Sequence, residues 1–353
     1  MLFRSTDGTQ DIIREHFKDV PGELFERPWK NFGHNRTEAL ELARGQADYL
    51  FIIDADEILE LPAGFTRQPL TKDAYSLLVE YGGVSYGRVC LVSARLTWRY
   101  VGVLHEYLEA DSAYSQERLS GPKVIPHLEG GRGQGVSTAE KYANDARILE
   151  NALRDEPENS RYVFYLAQSY RDAGQWKKAF RNYKRRAGMG GWAEEVWYSL
   201  FEMAKLSERL QLEPSVIVAR YLDAYDNRPQ RAEPLVELAR FQRERSRFGI
   251  AHLFAARAIA MPRPEDILFV DIGTYEWRAI DEFAVASYWL GRYQDCAQAC
   301  EQLLHGGRLP FEHRARVTQN LNFAMTELGK ASVAASSTTS ETGEPGAARS
   351  ANR

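Results

Sequence analysis

The chain has 353 residues, of which 44% are hydrophobic and 27% are charged, and its formal net charge is -4. This balance predicts a folded protein of about two domains and excludes a globally basic surface that would bind nucleic acid. Three cysteines without a CxxC pair exclude a disulfide framework and a cysteine-rich zinc module, and they favour a cytoplasmic location. No apolar run is long enough to predict a membrane span.

The sequence before residue 135 alternates strand-like and helical patterns, which is typical of an α/β domain. The apolar run 49–53 predicts a strand that is buried on both faces of a parallel sheet. A helical pattern over 35–46 precedes this strand. Further strands are predicted at 74–81, 88–93, 101–108 and 123–127.

The first residues of the chain predict a capped helix. Ser5, Thr6 and Asp7 offer side-chain oxygens that cap the first turn of a helix. The apolar face of this helix is predicted to consist of Ile12, Ile13, His16 and Phe17.

The second half of the chain has a helical and weakly repetitive pattern. Ala167 and Ala179 are small residues where the two helices of a tetratricopeptide pair cross, and Tyr170 and Tyr183 are bulky residues that fill the neighbouring holes. Phe201 lies 34 residues after Ala167 and predicts a second unit. Later units drift from this period, so the repeat is degenerate.

These patterns predict an α/β domain over 1–135, helical repeats over 136–330 and a disordered tail over 331–353. The glycine-rich stretch 130–135 marks the first boundary, and it lacks the lysine of a phosphate-binding loop. Cys296 and Cys300 are four residues apart on a predicted helix. We expect them in the core of a repeat and not at a metal.

The strongest chemical signal is the acidic sequence Asp54-Ala55-Asp56-Glu57, which directly follows the apolar run 49–53. Because parallel strands bring their carboxyl ends to the edge where ligands bind, these carboxylates are candidates for holding a ribose or a hard cation such as Mg²⁺ or Mn²⁺. The alternative is a loop acid followed by a helix N-cap before Ile58.

Three further candidates lie elsewhere in the first domain. His105 and Glu106 end an apolar run and offer a general base or a metal ligand, and the alternative is an edge strand with polar side chains in water. His127 is a candidate metal ligand or a structural histidine. Arg36, at a predicted helix N-terminus, offers a phosphate clamp or packs and caps the helix.

Four ordered segments resemble glycosyltransferase family 2, and more narrowly the bacterial branch in which the catalytic domain is fused to tetratricopeptide repeats. The segments are STDGT at 5–9, WKNFGHNRTEAL at 29–40, DYLFIIDADE at 48–57 and VGVLHEYLE at 101–109. The resemblance implies a GT-A fold, a nucleotide-diphospho-sugar donor (a UDP-sugar is expected) and transfer with inversion at the anomeric carbon. The acceptor is a glycan or a protein.

The resemblance also implies roles for individual residues. Asp54 and Asp56 stand at the DXD motif of the family, with Asp54 towards the ribose or the metal and Asp56 towards the metal, an Mn²⁺ or Mg²⁺ ion. Asp7 matches the acidic residue of the turn near the nucleotide, and Arg36 matches a basic residue that contacts the donor.

On the acceptor side, Glu106 is the candidate base and His127 the candidate that completes the metal shell. The more familiar family pattern has an aspartate-containing pair where this chain has His105-Glu106. The repeats are expected to hold the acceptor or a partner, and a homodimer through the repeats is a further expectation.

Family members open with a strand, a helix and a second strand before the STDGT turn, whereas only four residues precede it here. The resemblance therefore implies a catalytic domain whose sheet is incomplete at its start. Two functions follow as hypotheses. One is a metal-dependent glycosyltransferase of the hexosyltransferase type. The alternative is a catalytically impaired remnant that acts as a tetratricopeptide interaction protein.

Overall fold

The computed structural model describes residues 2–3, 8–66, 68–81, 84–127 and 137–339. Contacts divide the chain into two compact units. The first consists of Met1–Glu213 with Asp266–Val270, and the second of Pro214–Glu265 with Asp271–Arg353. The domain boundary near residue 135 remains a prediction, because the helices directly after it belong to the first unit.

The first unit begins with short strands and two helices and continues into a mixed sheet. In chain order its elements up to residue 126 are β1 (Leu2–Phe3), α1 (Thr9–His16), β2 (Glu26–Arg27), α2 (Phe32–Ala43), β3 (Tyr49–Phe51), β4 (Glu57–Glu60), β5 (Ala74–Tyr81), β6 (Val84–Ser93), β7 (Trp98–Val101), β8 (Tyr107–Ala110) and β9 (Gln116–Pro126). The prediction at 74–81 is confirmed to the residue.

The sheet that carries the site is mixed. Its strands follow the order β6, β5, β9, β4, and β6 also pairs with β3 and with β10 (Val270–Asp271). The β5–β9 pair is parallel, whereas the β3–β6, β4–β9 and β5–β6 pairs are antiparallel. Two small ribbons stand apart from it, a parallel β1–β2 pair and an antiparallel β7–β8 pair. The fold class is therefore a mixed α/β region followed by helices.

One expectation about burial in this region is wrong. The strand expected within 49–53 is antiparallel to β6, and Phe51 and Ile53 are 41% and 40% exposed, so it is not buried on both faces. A run of apolar residues does not by itself show whether one face or both faces of the strand are covered by other elements. Ile12 on α1 is 68% exposed, and Phe17, the C-cap residue directly after α1, is 53% exposed. Gly8 is the N-cap of α1, and its predicted capping residues 5–7 lie outside the described residues.

The same unit continues with four helices, α3 (Thr138–Asp155), α4 (Ser160–Asp172), α5 (Trp176–Gly188) and α6 (Ala193–Arg209). Each packs on the next along the chain. Ala167, Tyr170, Ala179 and Tyr183 are buried in one apolar cluster, as the repeat spacing predicts. Leu104 of the segment between β7 and β8 belongs to the same cluster.

The second unit is helical. Its helices are α7 (Pro214–Asn227), α8 (Glu233–Arg243), α9 (Phe248–Ile259), α10 (Ala279–Trp289), α11 (Tyr293–His305) and α12 (Phe311–Thr339), and a π-helical turn (Thr274–Arg278) leads into α10. Cys296 and Cys300 are free, fully buried and part of the α10–α12 core, which confirms their packing role. The last helix continues to Thr339, beyond the predicted end of the repeats, and 340–353 lie outside the described residues.

Within the residues that the structure describes, no helix combines the length and apolar character needed to cross a bilayer.

Candidate functional site

The acidic sequence forms a turn between β3 and β4 that is closed by two hydrogen bonds. The Glu57 amide donates to the Asp54 carbonyl at 3.1 Å, and the Asp54 amide donates to Glu57 Oε2 at 3.0 Å. Ile58, which follows the turn, lies in strand β4. The alternative of a helix N-cap at this position is therefore wrong. The turn instead connects the end of β3 with the start of β4.

Glu57 is the anchor of this turn. Its carboxylate accepts two hydrogen bonds of 2.6 Å from the guanidinium of Arg88 on β6, and its side chain is only 5% exposed. Burial raises the pKa of Glu57, but the hydrogen bonds from Arg88 and from the Asp54 amide outweigh it and the pKa is lowered. A fork-to-fork pair of this kind fixes geometry as well as charge. Glu57 and Arg88 therefore hold the Asp54 backbone in place.

Arg36 connects the acidic turn with the second predicted segment. Its Nη2 lies 2.6 Å from Asp54 Oδ2 and its Nε lies 2.8 Å from Glu106 Oε1. The guanidinium also lies over the ring of Tyr100, 5.4 Å from the centroid. Burial alone would lower the pKa of Arg36. The Asp54 and Glu106 carboxylates raise this pKa by more than burial lowers it, so the net shift is upward. The structure thus brings Arg36, Asp54 and Glu106 together.

Local contacts explain why α2 presents Arg36 here. The helix begins earlier than its predicted start, because the side chain of Asn31 caps it by accepting from the His34 amide at 2.8 Å. The Thr37 hydroxyl donates to the Gly33 carbonyl at 2.7 Å and accepts from the Tyr100 amide at 2.9 Å. Thr37 therefore ties the first turns of α2 to β7.

Glu106 lies in a turn and not in the continuous strand predicted at 101–108. The chain leaves β7 at Val101, turns through Gly102 (φ 117°) and His105 (φ 52°), and enters β8 at Tyr107. The Glu106 side chain is 11% exposed and ion-paired with Arg36. The His105 ring stacks on Tyr165 of α4, 4.0 Å between centroids. The two side chains of the predicted His-Glu pair thus have different partners, and the edge-strand alternative is wrong for this segment.

Asp56 and His127 are neighbours at the ends of β4 and β9. The His127 amide donates to the Asp56 carbonyl at 2.7 Å, one step beyond the Glu57–Pro126 register pair. Both residues are exposed. Among the described residues, no three His, Cys, Asp or Glu side chains are grouped as a metal site. The contact between them joins the two backbones, and the Asp56 carboxylate is the kind of oxygen ligand that Mg²⁺ or Mn²⁺ takes together with phosphate oxygens.

The remaining predicted site residue, Asp7, lies outside the described residues. Sequence reasoning missed Glu57 as an anchor, together with Arg88, Thr37 and Tyr100. Of these residues, only Glu57 could have been found from the sequence, because it is the last residue of the acidic sequence 54–57. The other three come from elements that meet this turn or α2 only in the folded chain.

The described chain combines a mixed sheet that carries an acidic turn with a series of packed helix pairs. Residues 4–61 match the family model for Glycosyl transferase family 2. This segment includes Asp7, Arg36, Asp54 and Asp56, and it ends before Glu106 and His127. Residues 4–61 are therefore similar to glycosyltransferase family 2, in agreement with the resemblance drawn from the sequence motifs, and packed helices follow from residue 138. No curated protein matches the chain.

Several solved structures are similar to this chain. A tetratricopeptide repeat protein from Parabacteroides merdae is 16% identical, with 54% of this chain and 72% of that chain covered and a TM-score of 0.40. BtubC from P. vanneervenii is 14% identical, with 64% and 98% covered and a TM-score of 0.41. A thermophilic tetratricopeptide repeat protein of Thermus thermophilus is 16% identical, with 52% and 91% covered and a TM-score of 0.36.

Proposed function

We propose that this chain transfers a sugar from a nucleotide-diphospho-sugar, a UDP-sugar in the first instance, to an acceptor hydroxyl with inversion at the anomeric carbon. The observation that carries the proposal is the position of Arg36 between Asp54 and Glu106, 2.6 Å and 2.8 Å away. Arg36 and Asp54 belong to the segment that matches the family, whereas Glu106 does not. Arg36 therefore contacts both Asp54, a donor-side residue, and Glu106, the candidate base.

The proposed chemistry assigns one task to each of these groups. Asp54 accepts hydrogen bonds from the donor ribose, and the positive charge of the Arg36 guanidinium attracts the diphosphate. Glu106 accepts the proton of the acceptor hydroxyl while the acceptor oxygen bonds to the anomeric carbon. The bond from that carbon to the diphosphate oxygen breaks, and the electron pair leaves with the nucleoside diphosphate. Asp7 contributes near the nucleotide.

Asp56 and His127 are the residues that would hold a divalent cation, Mn²⁺ or Mg²⁺. When bound, such an ion neutralises charge on the diphosphate. Both side chains are exposed on the edge where β4 and β9 end, so the remaining coordination positions are open to phosphate oxygens and water.

The proposal leaves room for two kinds of acceptor, a glycan or a protein segment, and gives the helical repeats the task of holding the acceptor or a partner subunit. Trp192, 41% exposed just before α6, is one aromatic side chain available for a contact between two copies. The three buried free thiols support a cytoplasmic location, because a reducing compartment keeps cysteines in this state.

The test is binding of UDP-sugars to the purified chain by calorimetry in the presence of Mn²⁺, followed by release of UDP. The variants Asp54→Ala and Asp56→Ala are expected to abolish binding or weaken it by about 100-fold. Glu158→Ala is the matched control, because Glu158 is an exposed carboxylate before α4. Glu106→Gln is expected to retain donor binding and to lose transfer.

Absence of donor binding and of UDP release in the wild-type chain, across a panel of nucleotide sugars, would reject the enzyme function. That result would favour the alternative, in which the chain is an impaired remnant and the repeats serve as an interaction module.

A further inference from the structure

The turn that carries Glu106 includes a residue with an unfavourable backbone conformation. His105 has φ 52°, in the left-handed region that is unfavourable for a residue with a side chain. Gly102, three residues earlier, has φ 117°. A turn with these two conformations between short strands needs outside contacts to keep a single geometry.

Those contacts come from α4, the first helix of the predicted tetratricopeptide pair. The guanidinium of Arg161 donates to the His105 carbonyl from Nε at 3.2 Å and from Nη2 at 3.0 Å. The His105 ring lies on Tyr165 with an interplanar angle of 11°. The backbone and the side chain of His105 are therefore both held by residues one helical turn apart on α4.

Arg161 is itself fixed between aromatic rings. Its guanidinium lies 5.0 Å from the ring centroid of Tyr107 and 5.0 Å from that of Tyr165. Its Nη1 lies 3.6 Å from a carboxylate oxygen of Glu195 on α6. Such cation–π contacts and the ion pair restrict the rotamers of Arg161, so its hydrogen bonds to His105 are preorganised.

The other side of the turn packs into the same helix. Leu104 is 2% exposed, in the apolar cluster that includes Tyr162 and Phe164. Val103 is partly buried and packs against the same cluster. Three consecutive residues before Glu106 thus rest on α4.

We infer that Arg161 and Tyr165 are positioning residues for Glu106, so that the first repeat helix is part of the transfer site. For its catalytic consequence this inference rests on the proposed function. Whether α4 stabilises the turn can be measured without an assay of sugar transfer. A displacement of about 1 Å in a reacting group is sufficient for a loss of about 100-fold in rate.

The first experiment measures amide hydrogen exchange of the 102–107 segment in the full chain. Arg161→Met and Tyr165→Leu are expected to increase its exchange by roughly tenfold, because they remove the hydrogen bonds or the ring stack. Tyr165→Phe retains the ring and Arg161→Lys retains a charge and donors, and we expect both to restore most of the protection. Arg181→Met is the control, since Arg181 is exposed on α5. Unchanged exchange in Arg161→Met and Tyr165→Leu would overturn the inference.

The second experiment separates kcat from donor binding. Arg161→Met is expected to lower kcat for transfer by about 100-fold and to leave the dissociation constant of the UDP-sugar within about twofold of wild type. Equal kcat in wild type and variant would overturn the catalytic consequence. A wild-type chain that binds no donor instead rejects the proposed function, while the exchange experiment still decides whether α4 holds the turn.

Discussion

The Nε atom of Arg36 lies 2.8 Å from Oε1 of Glu106, although seventy residues separate them in the sequence. Glu106 is nearly buried, with 11% of its side chain exposed, and the second ion pair of Arg36 is with Asp54 at 2.6 Å. One cation therefore pairs with two carboxylates and reduces the repulsion between them. Arg36 therefore joins the acidic turn to the segment that carries Glu106.

Replacing Arg36 by methionine is expected to abolish donor-dependent transfer or lower it by about 100-fold, because both carboxylates lose their counter-charge. We also expect a loss of about 2 kcal/mol in the free energy of unfolding. Arg36→Lys retains the charge without the planar fork, so an intermediate activity is expected. Kinetics and thermal unfolding provide the two measurements. Arg44→Met, an exposed arginine directly after α2, is the control. Wild-type turnover in Arg36→Met would exclude this role.

The sequence alone could predict the features that depend on local order. The strand at 74–81 and the burial of Ala167 and Tyr183 follow from periodicity over a few residues. The partner of Arg36 could not be predicted, because Glu106 comes close only after β7 has packed on α2. Histidine is enriched among residues with a left-handed backbone, but such residues are too uncommon for the residue type alone to predict the φ of 52° at His105.

Arg88 is expected to stabilise the acidic turn through Glu57, whose side chain is only 5% exposed. Arg88→Met leaves that carboxylate buried without its partner, and we expect a loss of about 3 kcal/mol in the free energy of unfolding. The double variant Arg88→Met/Glu57→Gln should be less destabilised than Arg88→Met alone, since no buried charge remains. Chemical denaturation measures both values.

Lys123→Met is the matched control for that prediction. Lys123 pairs with Glu60 at 3.2 Å and Glu80 at 3.1 Å, but these carboxylates are 50% and 39% exposed. Exposed pairs contribute little, so the expected change is within about 1 kcal/mol. Equal losses in Arg88→Met and Lys123→Met would contradict the anchoring role of Arg88.

Glu202 on α6 predicts an acid-dependent loss of stability. It is buried, with Lys205 Nζ at 2.7 Å and Arg171 Nη1 at 3.2 Å from its carboxylate. Burial raises its pKa, but these two cations outweigh burial and lower it from 4.5 to about 2. Because the folded-state pKa is the lower one, the contribution to stability is complete above about pH 4.5 and is lost as the pH falls towards 2.

The corresponding variant is Glu202→Gln. At pH 7 it is expected to be less stable than wild type by about 3 kcal/mol, and the difference should shrink steadily as the pH is lowered from 4.5 towards 2. Thermal unfolding followed by circular dichroism at several pH values measures this. Glu213→Gln, an exposed carboxylate shortly after α6, should show no such dependence. A difference between Glu202→Gln and wild type that stays constant with pH would contradict the assignment.

Gly33 on α2 is expected to be intolerant of any side chain. A Cβ atom there would lie 2.9 Å from the Gly102 carbonyl oxygen and 3.3 Å from that of Tyr100, both of which are backbone atoms of the segment that leads to Glu106. Gly33→Ala must therefore displace this backbone, and we expect a loss of about 1–3 kcal/mol together with reduced transfer.

Gly188→Ala tests whether that loss comes from the contact and not from alanine itself. Gly188 is the last residue of α5, and a Cβ atom there meets nothing within 4 Å. Because alanine favours the helix over glycine, this variant is expected to gain about 0.5–1 kcal/mol. The two substitutions thus have opposite expected signs in the same denaturation experiment. A gain in both would show that α2 has room to move away from the Glu106 segment, and the close packing of Gly33 would then have no part in positioning Arg36.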